Sequence, residues 1–186
     1  MRVLQGQALL GSDRAVTTTN RIRLTRLLRE AEGYLELSMP RQALDILQRI
    51  DKPGTFRGQH LYLQGEALRA LEKYQEALPM LVDAVDLAPS NIHAWMALGW
   101  CYKRTDQLDK AIDSLERARE IDSSEPLIEY NLACYYSLQG SKTQALACLS
   151  RAINANPAFK DMVGRETDFD PIRADPDFQA LVSVIV

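Results

Sequence analysis

Apolar residues recur at helical spacing in short stretches along most of this chain, and polar turns separate the stretches. Between residues 92 and 125, Trp95, Leu98, Gly99 and Tyr102 fall at i, i+3, i+4 and i+7, the stripe of one amphipathic helix. The pattern breaks near Thr105 and Asp106. Ala111, Leu115 and Ala118 then mark a second helix. Trp95 and Trp100 lie on the first of these helices, and at 100° per residue they are about 140° apart. They therefore cannot share a face, and what Trp100 touches becomes the functional question.

The helix pair repeats. Ala43, Ala77, Ala111 and Ala145 are 34 residues apart, as are Tyr34, Leu68, Tyr102 and Tyr136. Leu47, Leu81, Leu115 and Leu149 keep the same interval. Small residues Ala31, Gly65, Gly99 and Ala133 sit where two backbones must approach closely. Four units follow without insertion: 24–57, 58–91, 92–125 and 126–159. Residues 1–23 precede them as an N-terminal extension, a tail or short helix, with Asn20 as a candidate N-cap. Pro89 and Pro157 follow second helices, which they cannot continue. Pro126 suits a first helical turn with Ser124 as N-cap, and Gly140 with Ser141-x-x-Gln144 reads as a helix stop and a capping box.

These positions resemble the tetratricopeptide repeat, which places a bulky residue, Leu-Gly, Tyr, Ala, an aromatic or Leu, Ala and Pro over one period. Unit three matches through Trp95, Leu98-Gly99, Tyr102, Ala111, Leu115 and Ala118. Unit two matches through Leu61, Gly65, Ala77, Leu81, Ala84 and Pro89. Unit four does so through Leu132-Ala133, Tyr136, Gly140, Ala145, Leu149, Ala152 and Pro157. Unit one departs most, with Glu30 where Leu is usual and Thr55 in place of Pro. The resemblance implies an all-α, right-handed superhelix of antiparallel helix pairs, and by itself it names no partner.

Residues 160–186 read as a capping segment closing the open end of the array. Asp170-Pro171 and Asp175-Pro176 are each an N-cap with proline after it, and Phe178, Leu181, Val182 and Ile185 form an apolar face. The acids in this stretch do not form a calcium loop, because Ile172 and Ala174 stand where oxygen ligands or glycine are needed.

Composition narrows the function classes. The chain is 46% hydrophobic and 25% charged, enough apolar material for a continuous core. No run reaches the ~18 apolar residues of a membrane span. A net charge of −3 gives no global case for nucleic acid, although residues 1–57 carry +4 and the rest −7. Arg14, Arg21, Arg23, Arg26 and Arg29 arrive with no intervening acid. No aromatic residue interleaves with them, so a solvated helix face is preferred to a nucleic-acid site. Three cysteines, Cys101, Cys134 and Cys148, match no metal-binding spacing and fit reduced thiols in a cytoplasmic protein. No nucleophile, phosphate-loop or metalloprotease motif is present, so neither an enzyme nor a cofactor or metal site is expected.

The resemblance implies that first helices line a groove. Its expected residues are Tyr62, Glu66 and Arg69 in unit two, with His93, Met96, Trp100, Lys103 and Arg104 in unit three. Leu127, Tyr130 and Asn131 complete it from unit four. Tyr62, Met96, Trp100 and Tyr130 would give an apolar floor, with Arg69, Lys103 and Arg104 as flanking cations. The positions of a clamp for a chaperone's C-terminal carboxylate do not match. The expected function is a protein-binding adaptor holding a partner's peptide or helix. The alternatives are chaperone-like shielding of a hydrophobic segment and self-association through the array ends.

Overall fold

The computed structural model describes residues 4–183, and side chains from Asn20 onward. Ten α-helices and two short 3-10 turns make up its regular structure, with no strand among the described residues. The chain divides after Leu87 into two compact units.

The first unit holds α1 (Leu4–Glu36), α2 (Pro40–Leu47), α3 (Arg57–Ala70) and α4 (Tyr74–Leu87). Helix α1 runs through Asn20 without a break, so this residue is not an N-cap. The threonines at 17–19 lie outside the residues with described side chains. Leu27, Leu28 and Ala31 of α1 meet Ala43, Ile46 and Leu47 of α2, and Leu63 and Ala67 of α3 join them. His60 is buried, its Nε2 lying 3.1 Å from the Leu47 carbonyl oxygen. At Gly65 a Cβ would come within 2.5 Å of the Leu81 side chain, so α3 and α4 pack too closely there for alanine.

The second unit holds α5 (Ile92–Arg104), α6 (Leu108–Ile121), α7 (Pro126–Gln139) and α8 (Lys142–Ala155). After them come α9 (Phe159–Val163), a 3-10 turn at Thr167–Ile172 and α10 (Pro176–Ser183). Asn91 caps α5 by accepting from the Ala94 amide. Glu125, not Ser124, caps α7, its carboxylate accepting from the Leu127 amide, while Ser124 turns back onto Asp122. The side chain of Ser141 makes no capping bond to α8 and donates instead to Gln139. Pro171 lies inside the 3-10 turn, whose N-cap is Glu166, whereas Asp175 does cap α10. Ile185, expected on the α10 apolar face, lies outside the described residues.

The backbone carries the repeat in a form that side chains only partly reveal. Ser38, Glu72, Asp106 and Gly140 all have positive φ, between 55° and 82°. At each, the next residue's amide donates back to the carbonyl of Tyr34, Leu68, Tyr102 or Tyr136, at 2.8–2.9 Å. The amides of the positive-φ residues themselves bond to Leu35, Arg69, Lys103 and Ser137. This pair of bonds is the Schellman helix stop, so every first helix ends in the same device. Only the last copy uses glycine, which is why the sequence shows the stop clearly at Gly140 alone.

Candidate protein-binding surface

The face of interest in the second unit is built by α5 and α7. On α5, Ala94, Ala97, Leu98 and Cys101 point into the core. Trp95 is half buried against that core, and its indole N–H donates to the Pro89 carbonyl at 2.9 Å. Trp100 is turned away and keeps 37% of its surface exposed. The Lys103 ammonium lies 5.7 Å from the Trp100 ring centre and equally far from Tyr135. Cation–π contacts of this kind add about 0.5–1 kcal/mol at exposed sites. Met96 is half buried, and His93 and Arg104 are exposed.

Helix α7 departs from the sequence-based expectation. Tyr130, expected on an open groove floor, is only 3% exposed. Phe159 of α9 stacks on its ring at 4.7 Å, and Phe169 of the 3-10 turn meets it edge-on at 5.9 Å. Behind them Phe178 of α10 packs on Phe169. The stretch after the fourth helix pair thus folds back across α7. It buries Tyr130 with an aromatic cluster because three large rings leave water together. Leu127 and Asn131 remain accessible at the edge.

Lys103 is also engaged, contrary to its expected part as a flanking cation: its ammonium pairs with Asp168 in the 3-10 turn. Beside that pair, the Cys134 sulfur and one oxygen each of Glu166 and Asp168 lie within 4.8 Å of one another. Burial, and then the Asp168 and Glu166 charges, hold the Cys134 thiol far above its ordinary range. The thiol therefore stays neutral, and Lys103 supplies the local positive charge. Burial likewise raises the Tyr130 hydroxyl. A cleft of about 420 Å³ opens next to this cluster, lined by Tyr130, Asp161, Met162, Arg165 and Glu166.

In the first unit, Tyr62 is half buried against the core, and burial pushes its hydroxyl above the usual range. Glu66 and Arg69 form a two-pronged ion pair at 2.8 and 2.9 Å, so they hold one another. Sequence reasoning missed Asp168, Glu166 and Phe169 as neighbours of this surface. The available signal was the alternation of acid and aromatic in Thr167-Asp168-Phe169-Asp170 just beyond the last repeat.

Helix pairs at a fixed 34-residue period, each closed by the same stop, define a helical-repeat scaffold. Residues 68–133 and 130–159 match family models of the tetratricopeptide repeat. The chain is a tetratricopeptide-repeat protein with an all-α fold. It is similar to the response regulator aspartate phosphatase E of Bacillus subtilis (strain 168), at 36% identity over 104 residues. That match covers 49% of this chain and 28% of the phosphatase. It is 26% identical over 133 residues to the BBSome complex member BBS4 of Xenopus tropicalis, covering 72% of this chain and 25% of that protein. The chain thus spans about a quarter of the length of these curated relatives. Among solved structures, MamA superimposes with a TM-score of 0.65 at 20% identity, covering 82% of this chain and 87% of MamA. YrrB, described as a TPR protein with an unusual peptide-binding site, gives 0.63 at 27% identity, covering 72% and 69%. No helix among the described residues is long and apolar enough to cross a membrane.

Proposed function

We propose that this protein is a binding adaptor whose second unit holds a peptide or helix of a partner protein on the exposed edge of α5 and α7. One observation carries the reading: Trp100 keeps 37% of its surface open on a helix whose other large apolar residues are buried or half buried, with a cation against its ring. A large aromatic residue held rigid and half open is the usual anchor of a binding hot spot. Met96 and Leu127 extend the apolar contact, and Arg104 offers a donor to the partner's acidic or carbonyl groups. YrrB, with its peptide-binding site, supports the same kind of occupant.

The product of such binding is proximity, and no reaction is assigned to the surface. The segment from Phe159 to Ser183 closes the end of the array by covering α7 and α8. The three cysteines are buried and form no disulfide, which fits a reducing, cytoplasmic setting. The test compares partner capture by wild-type protein with Trp100→Ala and Leu127→Ala, each first shown by circular dichroism to be folded. A photo-crosslinker at His93 reports contact directly. Loss of the partner from both variants, with crosslinking at His93 in wild type, is expected. Equal capture by all three proteins would make Trp100 a packing residue and place the partner elsewhere.

A further inference from the structure

The first unit carries a basic pocket that the proposed binding surface does not use. Asn20, Arg23, Leu24 and Leu27 of α1 face Arg49, Ile50, Asp51 and Lys52, just beyond α2, around a cavity of about 210 Å³. Leu24, Leu27 and Ile50 belong to or pack on the unit's core, so the pocket has an apolar wall with charges at its mouth. Among the described residues, Arg23, Arg49 and Lys52 have no carboxylate within ion-pair distance, unlike Arg57, Arg69 and Lys73. Asp51 is the pocket's one acid, leaving a formal charge of +2.

We infer that this pocket receives the phosphorylated side chain of a partner protein. Three observations select that occupant. A phosphomonoester carries about −1.5 to −2 charges at neutral pH, which matches the pocket, whereas a single carboxylate satisfies half of it. Two guanidinium groups and an ammonium offer the forked and point donors that suit the three terminal oxygens of a tetrahedral phosphate. The volume lies below the roughly 300 Å³ at which sites for free small molecules begin, so the occupant projects from something larger. Nucleic acid fits less well. Its phosphates carry one charge each, and the pocket is lined by no aromatic ring on which a base could stack.

The probe is a fluorescein-labelled pool of short degenerate peptides with a fixed central phosphoserine. Identical pools carry serine or glutamate at that position. Fluorescence anisotropy should show at least tenfold tighter binding of the phosphoserine pool. Arg23→Gln/Arg49→Gln should lose that preference, with an unchanged circular dichroism spectrum. Asp51→Asn should strengthen it, since the pocket then carries one more net charge, and Trp100→Ala should leave it intact. This last variant separates the pocket from the surface proposed above. Equal binding of the three pools would overturn the inference. So would phosphoserine binding that survives the double arginine change, or tighter binding of an oligothymidylate of matched charge.

Discussion

Replacing Phe169 by alanine should uncover α7 without dismantling the helix pairs. Phe169 is fully buried, meets Tyr130 edge-on at 5.9 Å and packs on Phe178 at 5.6 Å. Removing a buried phenylalanine ring costs about 3–5 kcal/mol once the cavity is included. The helix pairs keep apolar contacts of their own, since Leu115, Leu132 and Leu149 of α6, α7 and α8 are fully buried residues of the same core. The loss therefore falls on docking of the segment from Phe159 to Ser183. Cys134 reports it, because its sulfur lies beneath Glu166 and Asp168. At about 1.4 kcal/mol per decade, 3–5 kcal/mol raises the open population roughly a hundred- to several-thousand-fold. In a Cys101→Ala/Cys148→Ala background, reaction of Cys134 with a thiol reagent should accelerate by that factor, with helical content retained. An unchanged thiol rate alongside a lowered midpoint of global unfolding would refute the reasoning. It would show that the terminal segment opens only when the whole unit unfolds.

Glu72→Gly and Asp106→Gly should each stabilise the protein by about 0.5–1 kcal/mol, because non-glycine residues at positive φ pay a steric cost that glycine avoids. Chemical denaturation reads this, and Gly140→Ala should move the opposite way. Gly65→Ala should destabilise by about 1–3 kcal/mol through the clash with Leu81, while Gly33→Ala, in α1 with open space around it, should stabilise by about 0.5–1 kcal/mol. Burial, and then the Glu129 charge, push the Cys148 thiol from 9.0 up to about 12, and burial with the Glu116 hydrogen bond pushes Tyr136 from 10.0 up to about 12. The unfolded chain loses these protons first, so the stability they lend is complete below about pH 9 and falls as pH rises towards 12. Urea midpoints across that range should drop, and Cys148→Ala should flatten the slope at its lower end.

The repeats were legible because each is specified locally and the specification is written several times. Ala77, Ala111 and Ala145 occupy the same buried place beside a first helix, so one register error would have broken every interval at once. The helix stops were less legible, since a Schellman turn needs a backbone conformation and not a residue type. Ser38, Glu72 and Asp106 adopt it under the pull of the two back-bonds. The candidate surface was legible only where it depends on one helix. Helical phase alone turns Trp100 away from Trp95, whatever lies further along the chain. Tyr130 and Lys103 obey the same phase, yet their environment is decided by Phe159, Asp168 and Phe169, which belong to no repeat. Lys103 and Asp168 are 65 residues apart, and no periodicity connects them. A repeat array shows which side chains face its binding surface. Whether that surface is open depends on the segment after the last repeat, and here that segment brings its own aromatic residues and its own acid.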